Sequence, residues 1–347
     1  MEAHAADDPS LAFFARTRRV ARAAIDAAGA VERTYAIAGH AVTVRAAGAA
    51  LADLLGGALA QRRSAPAAAP ALVVECWDGA TSGLEPPPFP WSLPSHLRRG
   101  ELPGATSARI GATLQPQDRC LGLVDRVERR AVWWAAAAAL PVHQQGSPLR
   151  DLLHAWLADA GLTLTHAAAV GRGGRCVLLP GRSGSGKSTT ALAALAAGFD
   201  LLGDDYVVVD APARTAHALY SFGKLTPDGL ARLPALAPDV VVAPRGDEKA
   251  LVDLRPRHAA RLPHALPIAG VVLPRITGTP ETRAQRGTAG AALAALAPST
   301  VFQLPGGGGR ELAALAGLVR TMPVWELQLG TTLPGVAAAL DAILAAT

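Results

Sequence analysis

The sequence predicts an α/β protein in two parts: a C-terminal domain over residues 149–347 built on a P-loop, preceded by a smaller α+β domain over residues 1–148. Three observations carry this. From Leu149 onward, short apolar runs alternate with helix-period segments, the rhythm of a βα fold around a largely parallel sheet. A glycine-rich stretch, Gly181 to Ser188, falls between a strand-like and a helix-like run. Within the N-terminal part, residues 83–104 are dense in proline (Pro86, Pro87, Pro88, Pro90, Pro94, Pro103) and read as a long loop, since proline neither pairs in a central strand nor continues a helix.

Composition narrows the function classes. Half of the 347 residues are hydrophobic (50%), but the largest single part of that share is alanine, which contributes little burial per residue. The longest strongly apolar run, from Ala131 to Val142, is about a dozen residues against the roughly 20 of a membrane span, so no membrane partner is expected. No secretion signal is read at the N-terminus, and Cys76, Cys120 and Cys176 lie too far apart to suggest a disulfide framework or metal knuckle. Both point to a reducing, cytoplasmic setting. The net charge of +5 comes from arginines scattered among acidic residues without interleaved aromatics, so nucleic acid is not an expected partner. The sequence leaves open whether the chain forms an oligomer. Of 33 basic residues only Lys187, Lys224 and Lys249 are lysines. In an arginine-rich chain, a retained lysine is a candidate for a place that needs a compact ammonium rather than a planar fork.

Before Leu149, strand-like runs such as Tyr35 to Val44 and Leu72 to Trp77 alternate with helix-like stretches and carry no recognisable chemistry. A helix then places Leu149, Leu152, Leu153, Trp156 and Leu157 on one face and stops at Gly161. Leu162 to Val170 reads as one strand, the turn Gly171 to Gly174 reverses the chain, and Cys176 to Leu179 delivers it to the P-loop. The helix that follows carries Leu192 and Leu195 and ends at Gly198, a left-handed cap. Strands are expected at Leu201 to Leu202, Tyr206 to Val209, Val240 to Val242, Leu251 to Leu254, Gly270 to Leu273 and Val324 to Leu329. Further helices are expected at Ala291 to Ala297, Glu311 to Val319 and Val336 to Leu344.

Gly181-Arg182-Ser183-Gly184-Ser185-Gly186-Lys187-Ser188 satisfies GxxxxGK[ST] in the strand-to-helix context the motif requires, with Thr189 extending the set. Glycines let successive N–H groups turn inward on phosphate oxygens, and the helix N-terminus adds its positive end. Lys187 would reach the β- and γ-phosphates of ATP, and the Ser188 hydroxyl would hold Mg2+. One βα unit later, Asp204 and Asp205 stand adjacent in Gly203-Asp204-Asp205-Tyr206. One carboxylate can hold the metal while the other accepts a proton from an incoming hydroxyl. Asp204 is assigned as base and Asp205 as metal ligand, with the order left open. His166 precedes the P-loop strand and is a candidate to orient or tune Asp204. Lys224, Lys249 and Arg275 are candidates for contacts to phosphate or acceptor, each set against the plainer reading of a solvated surface charge.

Thr165-His166-Ala167-Ala168, the P-loop written GRSGSGKSTTAL, and Leu202-Gly203-Asp204-Asp205-Tyr206 together resemble the catalytic domain of HPr serine kinases. They are more similar to the HPr-kinase-related proteins, including kinases of lasso peptide precursors. The stretch Leu219 to Leu225 and the pair Glu248 and Lys249 share in the resemblance, which covers roughly residues 149–345. It implies a P-loop fold of the HPr kinase and phosphoenolpyruvate-carboxykinase type, ATP with Mg2+, and a serine hydroxyl as acceptor. It also implies an active site at His166, Lys187, Ser188, Asp204 and Asp205. The Glu-Ile-Arg-Gly segment that true HPr kinases carry after the paired aspartates is absent, so the resemblance does not carry over HPr as substrate, the reverse dephosphorylation or that family's hexamer, and these stay open.

The expected function is therefore transfer of the γ-phosphate to a serine-type hydroxyl of a peptide or small protein, with residues 1–148 as an accessory, substrate-recognising domain. The alternatives are a nucleotide-responsive binding module without transfer and a kinase of a small metabolite.

Overall fold

A computed structural model describes residues 8–300, 304–306 and 308–347; residues 1–7, within the segment on which no secretion signal is read, lie outside them. The chain divides into two compact units, Met1–Ala160 with Leu304–Gly306, and Gly161–Gln303 with Gly307–Thr347.

The first unit opens on the helix Pro9–Ala28. Asp8 caps it by accepting from the Ser10 N–H at 2.9 Å, Pro9 occupies its first turn, and Gly29 at φ 83° ends it. Its buried face carries Phe13, Phe14, Ala21 and Ile25, the larger side chains contributing about 2 kcal/mol each. That face lies on a sheet of β1 (Ala30–Ile37), β2 (His40–Ala47), β3 (Arg63–Ser64), β4 (Leu72–Asp78), β5 (Ile110–Gln115), β6 (Cys120–Asp125) and β7 (Arg130–Ala135), in the order β3-β1-β2-β4-β7-β6-β5. Glu75 of β4 is fully buried and is held by Arg18 at 2.6 Å and Arg22 at 3.1 Å, both from the helix. The proline-rich segment is a loop with one short 3₁₀ turn, Arg98–Gly100, and it lays Phe89 and Trp91 on the Phe13 ring at 5.3 and 5.2 Å. The helix Arg150–Asp159 belongs to this unit. Gln115 donates to Asp151 at 2.8 Å and Arg126 pairs with Asp159 at 2.9 Å, so the division comes at Gly161 rather than at Leu149.

In the second unit, β8 (Thr163–Thr165), β9 (Ala167–Arg172), β10 (Arg175–Pro180), β11 (Asp200–Gly203), β12 (Val207–Asp210) and β13 (Thr215–Ala218) are followed by β14 (Phe222–Leu225), β15 (Val240–Val242), β16 (Ala250–Asp253), β17 (Ala265–Ile276), β18 (Arg283–Arg286) and β19 (Val324–Leu329). The main sheet runs β11-β9-β10-β17-β13-β12-β8, with β19 on β17 and β18 on β19, while β14-β16-β15 form a small sheet. Two expectations are corrected. The sheet is mixed: among the described residues only β10 with β17 and β17 with β19 pair in parallel, while its other pairs are antiparallel. The cause is loop length, since the turn at Gly173 and Gly174 and the turn between Asp210 and Thr215 are too short for the crossover that parallel neighbours need. The expected strand Leu162 to Val170 is also broken at His166, where the chain leaves β12 as partner for β8 and takes up β10 and β11 as partners for β9.

Helices cover both faces. The P-loop helix Lys187–Ala196 and the helix Leu333–Ala345 bury Leu192, Leu195 and Leu340 with Leu179, Val272 and Leu327. The helices Ala289–Thr300 and Gly309–Arg320 bury Leu296 and Leu315 with Leu178 and Val271 on the other face. This sandwich anchors the ends of β9, β10 and β11, where the conspicuous sequence motifs fall.

Candidate functional site

The P-loop joins β10 to its helix with no side-chain cap: Gly186 sits in the left-handed region at φ 92° and Gly184 at φ 81°. The first N–H groups of the helix are thus left to an outside acceptor. Gly186 is also required by packing, because a Cβ there would stand 2.5 Å from Leu329 Cδ1 and 3.4 Å from Ile276 Cγ1. A Cβ on Gly181 would run into the Ser185 side chain. Arg182, Ser183 and Gly184 form the exposed outer arc, Ser188 and Thr189 are half-buried, and Lys187 is buried.

Gly203 allows the tight path into the aspartate pair, since a Cβ there would lie 2.6 Å from the Tyr206 carbonyl oxygen. The two carboxylates then diverge. Asp204 is 1% exposed; its Oδ2 accepts from the Lys224 N–H at 2.8 Å, while its Oδ1 is buried without a hydrogen-bond partner. Burial and the neighbouring charge of Asp205 raise its pKa above the ordinary carboxylate value. The Lys224 N–H, Lys187 and the Ser188 hydroxyl draw it back, the last without closing a hydrogen bond to Oδ1.

Asp205 has the opposite surroundings. Its Oδ1 meets His166 Nε2 at 2.8 Å and Lys187 Nζ at 3.4 Å, and its Oδ2 meets Lys224 Nζ at 2.9 Å. Burial alone would raise its pKa, but Lys224, His166 and Lys187 hold it well below the usual range. Asp205 is therefore ionised, which puts the proton of a neutral His166 on Nε2. Burial pushes the imidazole pKa down, against the pull of Asp205. Its Nδ1 is buried without a partner, as is the Ser185 hydroxyl oxygen. Buried polar groups are rarely left so, and three here share one neighbourhood.

His166 engages Asp205 and not Asp204, the partner expected from the sequence. The reason is register: β8 pairs antiparallel with β12, Thr165 opposite Val207, so the next residue out, His166, comes opposite Tyr206. The two rings stack at 5.0 Å with a 31° tilt, and the His166 N–H donates to Thr300 Oγ1 at 3.1 Å. Neither contact was expected from the sequence. Tyr206 adjoins the aspartate pair and so carried a signal, whereas Thr300 carried none.

All three lysines of the chain come to this place. Lys187 and Lys224 are buried and pair with Asp205, and Lys249, half-buried just before β16, is near enough to depress the pKa of Lys187. Burial is the larger cause of that depression. Arg275 is not drawn in. It is exposed at the end of β17 opposite Gln328, and its side chain makes no hydrogen bond or ion pair among the described residues.

Buried Lys187 at the uncapped N-terminus of the helix, with Lys249 adding positive charge near it, is the kind of arrangement that attracts a polyanion. No group of three or more His, Cys, Asp or Glu side chains fit to hold a metal occurs among the described residues. A divalent ion there would need ligand oxygens as well as protein groups, as Mg2+ bound with a nucleotide does.

No protein-family model and no curated protein sequence matches the chain. Among solved structures it is similar to the HPr(Ser) kinase/phosphatase from Coxiella burnetii, at 9% identity and a TM-score of 0.28, over 51% of this chain and 88% of that one. At that identity and score, a functional reading has to stand on the site itself. No helix among the described residues is long and apolar enough to cross a membrane.

Proposed function

We propose that the chain is an ATP- and Mg2+-dependent kinase that transfers the γ-phosphate to a serine-type hydroxyl of a peptide or small protein. The observation that carries this reading is the uncapped P-loop helix that opens on buried Lys187, with Lys187 paired to the ionised Asp205. The acceptor class comes from the motif resemblance.

The geometry favours the reverse of the order first assigned to the aspartates. Asp205 already carries two ammonium groups and an imidazole, so a divalent ion on the same oxygens would be repelled at close range. Asp204 Oδ1 is bare, and the Ser188 hydroxyl acts on the same carboxylate. Asp204 and Ser188 fit the metal. Bound there with ATP, Mg2+ would neutralise charge on the β- and γ-phosphates.

The remaining chemistry belongs to the chain. The P-loop N–H groups orient the phosphates in line with the acceptor. Lys187 leaves Asp205 Oδ1 for the phosphate oxygens, and the acceptor hydroxyl donates to the oxygen it has vacated. As the acceptor oxygen bonds to the γ-phosphorus, the bond from that phosphorus to the β–γ bridging oxygen breaks, giving ADP and a phosphoester. The hydroxyl proton passes to Asp205, which His166 keeps in place.

The test is mass spectrometry of serine-containing peptides after incubation with the protein, ATP and Mg2+. The expected result is a gain of one phosphate that is lost in Lys187→Ala and Asp205→Asn. Tight ATP binding with no peptide modified would remove the peptide-kinase reading and leave a nucleotide-responsive module or a kinase of a small metabolite.

A further inference from the structure

Lys224 grips both members of the aspartate pair through two different groups. Its backbone N–H donates to Asp204 Oδ2 at 2.8 Å, and its ammonium donates to Asp205 Oδ2 at 2.9 Å. The side chain is buried, and the strand that carries it, β14, is fixed from both sides. Lys224 pairs with Leu251 of β16, and a Cβ on the preceding Gly223 would stand 3.0 Å from Leu192 of the P-loop helix. The residue therefore ties the aspartate turn to the small sheet and, through β14, to the helix that begins at the P-loop.

We infer that Lys224 is a positioning residue for phosphoryl transfer: it holds Asp205 in place when Lys187 departs, so that Oδ1 alone is released toward the acceptor. The inference rests on the kinase reading and assigns Lys224 a role other than phosphate contact. Its basis is the division of labour on Asp205. Oδ1 carries the long 3.4 Å contact to Lys187 and the short one to His166, while Oδ2 belongs to Lys224. When phosphate takes Lys187, His166 and Lys224 remain, one on each oxygen, and a carboxylate held on both oxygens cannot swing after the departing ammonium. Without Lys224, Asp205 is free to rotate about its side-chain bonds and to follow Lys187 or to meet the phosphates head-on. A displacement of about 1 Å at a reacting group costs on the order of a hundredfold in rate.

A lysine suits the task better than an arginine, because the backbone of the same residue is committed to Asp204. A compact ammonium reaches Asp205 within that constraint, whereas a longer planar fork would have to displace His166 or Lys187.

The experiment uses the full chain and Lys224→Ala, with Lys224→Met as a second variant that keeps the apolar stem in its buried channel. ATP affinity is measured by calorimetry, and ATP turnover is followed with and without ethylamine, with tetramethylammonium at equal ionic strength as control. Expected are ATP affinities within about threefold of the parent and a loss of turnover of roughly a hundredfold. Ethylamine restores at least about tenfold of that turnover in Lys224→Ala, and tetramethylammonium restores none, because only a primary amine can donate to Asp205. Turnover within about threefold of the parent in both variants overturns the positioning role. So does a loss of ATP binding equal to the loss of turnover with no amine response, which makes Lys224 a phosphate ligand or a framework residue. A parent that turns over no ATP, whether or not it binds it, sinks the kinase reading itself and takes this inference with it.

Discussion

His166 and Asp205 are joined by a 2.8 Å hydrogen bond at the point where β8 ends and β9 begins, so a break in a strand serves as the mount for an imidazole. Because burial depresses the His166 pKa, the folded protein keeps this ring neutral at pH values where the unfolded chain, titrating near 6.5, already binds a proton. Between the unfolded and folded pKa values, the unfolded state thus binds more protons, and stability falls as pH drops through that window. Urea unfolding at about pH 7.5 and about pH 5.5 should show this slope, and His166→Gln should flatten it. An imidazole NMR titration with a midpoint above 6.5 would contradict the assignment.

The two aspartates should fail differently. Asp204→Asn should raise the Mg2+ concentration needed for turnover by tenfold or more, by analogy with the loss of a metal-site carboxylate. Asp205→Asn should leave the metal dependence in place and lower kcat by about two to four powers of ten. Titrating Mg2+ at saturating ATP in both variants separates them, and the opposite pattern would restore the order first assigned from the sequence.

Gly186→Ala should disable the nucleotide site without unfolding the protein. The added Cβ meets Leu329 at 2.5 Å and sits at φ 92°, a strain of about 1–2 kcal/mol before the clash is counted. ATP affinity should fall by tenfold or more. The double variant with Leu329→Ala should recover only part, because it relieves the contact and not the backbone.

In the first unit, Glu75→Ala should cost about 2–3 kcal/mol, less than the roughly 3–5 of breaking a fully buried ion pair, because Arg18 and Arg22 can still reach solvent. Chemical denaturation of the purified chain measures it. A cost under about 0.5 kcal/mol would mean that the pair holds nothing.

Much of the second unit was legible because local signals sufficed. The P-loop, the turn at Gly173 and Gly174, and the helix ending at Gly198 are written in glycine, and Val240–Val242 and Val324–Leu329 fall where their apolar runs put them. Arg283–Arg286 was not legible: all four of its residues are exposed, so no apolar alternation marks it. Phe222–Leu225 was missed because its four residues owe their strand to β16 rather than to a pattern of their own. The candidate residues could be named from the sequence, but their pairings could not. Which aspartate faces His166 depends on the register of β8 against β12, a long-range choice that leaves no local trace.

The concentration of lysine in one place also makes the protein unusually simple to footprint. A lysine-specific protease has three side-chain targets in the whole chain, at Lys187, Lys224 and Lys249, and two of the three are buried. Half-buried Lys249 should be cut or acylated first, and ATP should shield it if the phosphates come to rest beside Lys187, whose pKa Lys249 depresses. A single peptide map can then report occupancy of the site, with the rest of the chain silent to the reagent apart from its N-terminal amine.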